Sequence, residues 1–220
     1  MAICCTSSSD QRGRFDGARV ITGGAVLFAL TAASLAPART TPPGAEATFV
    51  RQLIGAARAQ ASDRVVYDGS YRKIPYPGGD VASTVGVCTD LIIRAYRAVG
   101  VDLQQRVHED MSRAFDSYPK KWGLPRPDPS IDHRRVANLQ AYFRRRGSYV
   151  AVSQEARDYL PGDLVTWMLP GDRPHIGLVT DSPSADGSRP LIAHNIGNGP
   201  ELEDMLFRFP ITGHYRYRGD

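Results

Sequence analysis

Residues 161–181 read PGDLVTWMLPGDRPHIGLVTD, and this segment gives the clearest indication of the fold. After the Pro-Gly turn sequence at its start, two runs rich in β-branched and apolar residues, 163–169 and 175–181, are typical of strands. The turn sequence SPSADGSR separates them from a third candidate strand, 190–195, and a fourth follows at 213–217. We therefore expect an antiparallel meander in the second half of the chain.

The first half of the chain carries helical patterns instead. The clearest is CTDLIIRAYRAV, in which the apolar residues share one face and after which Gly100 ends the helix. Asp132 is a possible N-cap of a later helix. Helices followed by an antiparallel meander predict an α+β domain. The predicted helices span 48–61, 88–99, 103–116 and 132–146.

Residues 1–38 are typical of a secretory signal. Three arginines precede an apolar run of 17 residues, Val20 to Ala36, and Ala36-Pro37-Ala38 resembles a cleavage site. An uncleaved anchor is the alternative, but this run contains glycine, threonine and serine and is short for a bilayer. We expect a periplasmic or secreted protein with no stable membrane anchor after cleavage. Residues 39–57 are predicted as a linker and the start of the first helix, and 58–218 as the domain.

Composition excludes several classes of protein. The chain is 42% hydrophobic and 23% charged, which rules out a disordered tail, a collagen-like repeat and a disulfide-dense miniprotein. Its formal net charge of +4 is too small to indicate nucleic-acid binding. A mild positive charge still favours contact with an anionic envelope polymer.

Of the three cysteines, Cys4 and Cys5 precede the apolar run and leave with the leader, so the mature chain keeps Cys88 alone. A lone thiol in an exported protein is either a buried small apolar residue or a nucleophile, and the count does not decide. Cys88 starts the clearest helix, where unpaired N–H groups and the helix dipole lower a thiol pKa. The position therefore favours a reactive thiol.

Two histidines fall on the predicted strands. If 175–181 and 190–195 form a hairpin centred near Ala185, His175 and His194 lie opposite one another on one face. One imidazole then orients the other beside the thiol. Asn195 is the alternative orienting residue if the register slips, although it points to the other face.

Several of these segments resemble known families. PYPGGDVASTVGVCTDLIIRAY, PGDLVTWMLPGDRPHIGLV and LIAHN resemble the nucleophile helix and the histidine strands of NlpC/P60 cysteine peptidases. GVCTDLIIRAYR, VHEDM, IDHRRVANL, PHIGLV, HNIGNGP and ITGHYRY are similar to motifs of the DUF1287 family, over roughly residues 58–218. The resemblance implies a papain-like fold, with the nucleophile helix packed on an antiparallel sheet.

The same resemblance assigns roles to residues. Cys88 is expected to be the nucleophile, His175 the base and then the acid, and His194 the orienting residue, while Tyr76 lines the site near the oxyanion. The implied reaction is hydrolysis of an amide bond in peptidoglycan stem peptides, without a cofactor. Two departures leave the substrate open: Val87-Cys88-Thr89-Asp90 stands where NlpC/P60 proteins usually have Asp-Cys-Ser-Gly, and residues 103–147 are an insertion.

That insertion concentrates charged residues. They cap helices and pair with nearby arginines, or they form a cleft wall in which Arg134 or Arg135 holds a substrate carboxylate. The predicted substrate-contacting residues are Tyr76, Asp90, His108, Asp110, His133, Arg134 and Asn195.

Two other functions remain open from the sequence. A metal-dependent hydrolase would draw on the five histidines with Glu109, Asp110 and Asp132, but no His-Glu-x-x-His motif is present, so we expect no metal. A non-catalytic module that binds the envelope is the other, since matching residues in a sequence need not meet in space.

Overall fold

The computed structural model describes residues 43–219, which form an α+β domain. The leader predicted over 1–38 lies outside the described residues, and no described helix is long and apolar enough to cross a membrane. The helices are α1 (Pro43–Ala59), α2 (Cys88–Ala98), α3 (Leu103–Arg113) and α4 (Val136–Arg145). The strands are β1 (Val66–Tyr67), β2 (Val85–Gly86), β3 (Tyr149–Val150), β4 (Leu164–Leu169), β5 (Arg173–Pro183), β6 (Pro190–Asn195), β7 (Pro200–Glu203) and β8 (Ile211–Tyr215).

Six of these strands form one sheet, in the order β3-β8-β4-β5-β6-β7. All of its pairings are antiparallel, and β4, β5 and β6 follow one another as in the predicted meander, with β7 paired to β6. The last strand, β8, crosses back to lie beside β4. Strands β1 and β2 form a separate parallel pair just before α2. The sequence therefore predicted the central strands, but not where β8 enters the sheet.

The two faces of the sheet are both covered. Alternate residues such as Leu164 and Ile176 pack against the helices, in a core that includes Cys88. The residues between them, such as Trp167 and Val179, form a second core with the segment that follows β7. This alternation follows from the period of two along a strand, and it sends neighbouring residues of β5 to opposite faces.

Several predicted boundaries are wrong. Helix α1 begins at Pro43, inside the predicted linker, because proline is well suited to the first helical position and Glu46 favours the first turn. Helix α4 begins at Val136 after a 3₁₀ turn at Asp132–Arg134, so Asp132 is not its N-cap. The Asp132 carboxylate instead accepts the Asp128 N–H at 2.5 Å and pairs with Arg135.

Strand β7 is absent from the strands predicted from the sequence. Its sequence, Pro-Glu-Leu-Glu, is polar and starts with proline. Both features suit the edge of a sheet, where one side of the strand needs no partner. This missed strand matters for the site, because β7 carries Glu201 and Glu203, which lie beside His194.

Candidate active site

Cys88 is the first residue of α2, and its thiol is buried. Val87 before it is extended, and its N–H donates to the Asp90 carboxylate at 2.7 Å, which fixes the start of the helix. Three donors face the sulfur: the Thr89 N–H, the Ile176 N–H and the Tyr67 hydroxyl. Sγ thus lies where the helix N-terminus meets β5.

Burial decides the charge of this thiol. Desolvation raises the pKa of Cys88 to about 11, with Asp90 adding to the rise, although the three donors act in the opposite direction. The predicted lowering of the pKa by the helix N-terminus is therefore wrong for this conformation. A helix dipole contributes about 1 kcal/mol, whereas full burial shifts a pKa by up to about 3–5 units. The thiol is neutral near pH 7.

Tyr67 is the tyrosine whose hydroxyl faces the Cys88 sulfur. Burial, followed by the nearby Cys88, raises the pKa of Tyr67, so its hydroxyl stays protonated and donates to the sulfur. The resemblance placed Tyr76 in this position, but Tyr76 is 40% exposed and packs edge-on against His108, with ring centroids 4.8 Å apart. The short pairing of β1 with β2, which the sequence did not reveal, brings Tyr67 here.

The predicted meeting of His175 and His194 is confirmed. His175 Nε2 lies 3.2 Å from His194 Nδ1, and the rings are perpendicular. The register differs from the predicted one by two residues, since Leu178 faces Ala193 and an irregularity follows Val179. A shift of two residues keeps both imidazoles on the same face of the sheet, so the two rings still meet although the predicted register was wrong.

Gly177 makes room for this pair. A Cβ at this position would lie 2.5 Å from Ile192 Cγ2 and 3.3 Å from His194 Cβ. Real Cβ atoms do not approach other atoms as closely as the first of these distances. The glycine of the Pro-His-Ile-Gly sequence therefore leaves space above β5, which the Ile192 and His194 side chains of the neighbouring strand β6 occupy.

Both imidazoles are neutral near pH 7. Burial and then His194 lower the pKa of His175 to about 3. Burial also lowers the pKa of His194, although Glu203 opposes the change. Thiol and imidazole therefore do not form an ion pair in this conformation.

Glu203 is a site residue that the sequence did not identify. Its Oε2 lies 3.2 Å from His194 Nε2, but off the hydrogen-bond direction, while Arg208 binds its other oxygen. A carboxylate this close favours the proton of His194 on Nε2. Nδ1 of His194 then accepts from His175, whose Nδ1 is left with a free lone pair. The sequence carried no signal for this neighbour, because β7 is a short polar strand at the edge of the sheet.

The thiol and the imidazole pair both lie near the start of β5, on opposite faces of the sheet. Pairing of β5 with β6 stops at Leu178, so the start of β5 has an open edge where the Ile176 N–H reaches Sγ. His175 is the preceding residue and lies on the other face, beside Trp167. Among the described residues no hydrogen bond joins Sγ to either imidazole. Such contacts tighten on substrate binding in many enzymes.

A cleft of about 260 Å³ opens beside Cys88. Its far wall comes from the insertion, as predicted, through the loop at Lys121 and Trp122 and the start of α4. Arg135 stacks over Trp122, 4.1 Å from the ring centre, and with Lys121 makes this wall basic. The remaining lining residues are Tyr67, Gly69, Val87, Ile131, Arg134, Val136, Ala137 and Pro174.

Arg134 borders the cleft, but its guanidinium is already engaged. It makes a two-pronged ion pair with Asp90 at 2.8 and 2.9 Å, and both side chains are buried. It also donates to the backbone carbonyls of Asp68 and Ser70. The predicted contact of Asp90 and Arg134 with substrate therefore gives way to a structural role, which anchors the start of α2. Arg135 also lines the cleft, although its Nη1 pairs with Asp132 at 3.0 Å.

The other predicted substrate residues do not line this cleft. Asp110 binds Tyr118 and Arg145, and the Asn195 side chain accepts the Gly197 N–H. His133 is buried, and burial lowers its pKa to about 4. His108 packs on Tyr76. Within the insertion, Asp110 pairs with an arginine, as the structural alternative raised from the sequence expected.

The metal ligands considered from the sequence do not meet. Glu109 accepts from Gln105, and Asp110 and Asp132 are bound by arginines. Within residues 43–219, one different group has metal-binding spacing: His194, Glu201 and Glu203.

Comparison with known proteins agrees with the motifs. The chain is 49% identical over 161 residues to the uncharacterized protein YijF of Escherichia coli (strain K12). The aligned region covers 73% of this chain and 78% of that protein. Residues 54–217 match the family described as "Domain of unknown function (DUF1287)". The match spans almost all of the described domain, and the chain belongs to the DUF1287 family.

Proposed function

We propose that this protein is an exported cysteine hydrolase with a papain-like arrangement, which cleaves an amide bond in peptidoglycan stem peptides. The observation that carries the proposal is the position of the Cys88 sulfur. It faces a cleft at a helix N-terminus, and the residue whose N–H reaches it follows His175, one half of a hydrogen-bonded imidazole pair.

The proposed reaction starts from neutral groups. The reaction requires the His175 ring, which lies on the opposite face of the sheet from Sγ in this conformation, to reach the thiol when substrate fills the cleft. Nδ1 of His175 then takes the thiol proton as Sγ attacks the carbonyl carbon. The donors that face Sγ, the Thr89 N–H and the Tyr67 hydroxyl, are placed to stabilise the oxyanion. His175 returns the proton to the departing amine, which leaves a thioester. Water, deprotonated by His175, then hydrolyses the thioester and restores the thiol.

The cleft supports an acidic peptide as substrate. Its basic wall, Lys121 and Arg135, offers charge to a carboxylate, and Trp122 offers an apolar face. Stem peptides carry free carboxylates beside amide bonds. The leader predicted over 1–38 would deliver the protein to the compartment in which this polymer lies.

The test is digestion of purified sacculi with the purified protein, with released muropeptides followed by chromatography and mass spectrometry. We expect release by the wild type and none by Cys88→Ala, with a loss of about 10²–10⁴-fold in His175→Ala. His108→Gln serves as the control, because His108 does not line the cleft. Release by Cys88→Ala at the wild-type rate would overturn the proposal.

A second candidate function rests on the neutral thiol. A pKa of about 11 for Cys88, with no hydrogen bond to His175, also suits a module that binds the envelope polymer without cleaving it. Binding of Cys88→Ala and wild type to sacculi with equal affinity, together with no released fragments from either, would favour this function. Cleavage by the wild type alone would exclude it.

A further inference from the structure

His194 and two glutamates lie together on the outer strands of the sheet. Glu201 is directly opposite His194 in the β6–β7 pairing, and Glu203 is two residues further along the same face. One ligand atom from each of the three residues lies within 4.8 Å of the others. Strand β7 is the edge of the six-stranded sheet, so an ion reaches this group from solvent.

The buried imidazole has a nitrogen without a partner. The His194 side chain is fully buried, yet its Nε2 makes no hydrogen bond with any described residue. That nitrogen lies 3.2 Å from Glu203 Oε2, and the opposite nitrogen, Nδ1, is held by His175 at 3.2 Å. A metal-bound histidine has this arrangement, in which the second ring nitrogen is fixed by a hydrogen bond.

The two carboxylates also favour a cation. Glu201 makes no ion pair with a residue in the described part of the chain, and burial followed by the nearby Glu203 raises its pKa. Arg208 binds one oxygen of Glu203 and leaves Oε2 facing His194. A cation between the two glutamates would relieve their repulsion.

We propose that His194 Nε2, Glu201 and Glu203 form a binding site for a divalent transition-metal ion, of which Zn²⁺ is the representative. One imidazole nitrogen with two carboxylate oxygens suits zinc, whereas magnesium and calcium take oxygen ligands alone. Three protein ligands leave the fourth position of a tetrahedral ion open.

The metal would also control the thiol, a consequence that rests on the proposed function. An ion on Nε2 places the proton of His194 on Nδ1, from which it donates to His175 Nε2. The proton of neutral His175 then occupies Nδ1, so that this nitrogen no longer accepts the thiol proton. Zinc bound here would be an inhibitor of the hydrolysis.

The test is titration of the full chain with Zn²⁺ by calorimetry. Thiols are removed by Cys4→Ser, Cys5→Ser and Cys88→Ala, so binding does not depend on the proposed reaction. We expect one ion per chain, and affinity at least about tenfold weaker when Glu201→Gln is added. A long-range ¹H–¹⁵N spectrum should show Zn²⁺ shifting His194 Nε2.

The matched control is Glu155→Gln, which removes an exposed glutamate that pairs with Arg157 and is not part of the group, and it should leave the affinity unchanged. Thermal unfolding of each variant shows that it is folded. Absence of saturable binding, or equal Zn²⁺ affinity in the Glu201→Gln variant, would overturn the proposal.

Discussion

The Nε2 atom of His175 lies 3.2 Å from Nδ1 of His194, and Glu203 lies 3.2 Å from the far nitrogen of that second ring. The three side chains form a continuous series of contacts. At its end is His175, the residue before Ile176, whose N–H faces the Cys88 sulfur. Each ring in the line has one proton, so the position of one proton fixes the next.

Glu203 should set these proton positions. In metal-free protein containing a chelator, ¹⁵N spectra should show His194 protonated on Nε2, because the carboxylate attracts that proton. Glu203→Gln should give a mixture of the two tautomers and slower hydrolysis. Glu155→Gln is the control, since Glu155 is exposed and pairs with Arg157. Identical tautomer populations in wild type and Glu203→Gln would contradict this role.

The Cys88 thiol should react slowly near neutral pH. A pKa of about 11 leaves roughly two orders of magnitude less thiolate at pH 7 than an unperturbed cysteine has. Alkylation by iodoacetamide, measured by mass spectrometry of the Cys88 peptide, should accelerate with pH without levelling off below pH 10. A plateau near pH 7 would show that the thiol is already ionised.

Tyr67 should make that thiol more acidic than burial alone would. Its hydroxyl lowers the Cys88 pKa, so Tyr67→Phe should raise the pKa further and slow alkylation at any given pH. Tyr71→Phe is the matched control, because Tyr71 is 59% exposed. Equal alkylation rates in wild type and Tyr67→Phe would mean that the hydroxyl does not donate to the sulfur.

Gly177 should tolerate no side chain. Gly177→Ala forces Ile192 or the strand to move, which should lower the free energy of unfolding by about 1–3 kcal/mol in urea titrations. Gly55→Ala, in an open position on α1, should instead raise it by up to about 1 kcal/mol. Equal stability of Gly177→Ala and wild type would show that the β5–β6 contact is looser than described.

Arg134 should stabilise the fold and not bind the substrate directly. Arg134→Met leaves the Asp90 charge buried without a partner, so we expect a loss of about 3–5 kcal/mol in the free energy of unfolding. Arg157→Met, which breaks an exposed pair with Glu155, should change it by at most about 1 kcal/mol. A stable Arg134→Met protein with only a raised KM would restore the substrate role.

Local pattern was sufficient for some of these features. Helical spacing correctly predicted that Cys88 lies at the start of α2. The apolar face of this helix and the glycine that ends the helix are both local signals in the sequence. Strand alternation put His175 and His194 on one face, and a register error of two residues could not change that. Strand β7 carried no such signal, since an edge strand needs neither apolar alternation nor a partner on both sides.

Sequence alone was enough for the order of helices and strands, for Cys88 as the one cysteine after residue 38 and for the shared face of the two histidines, because these depend on composition, periodicity and spacing. Tertiary structure decided the rest. It buried the thiol, and desolvation then outweighed the helix dipole and kept Cys88 neutral. It also paired Arg134 with Asp90, exchanged Tyr76 for Tyr67 and brought Glu203 to His194. Charge and proton position depend on burial and on distant partners, which no local pattern of residues contains.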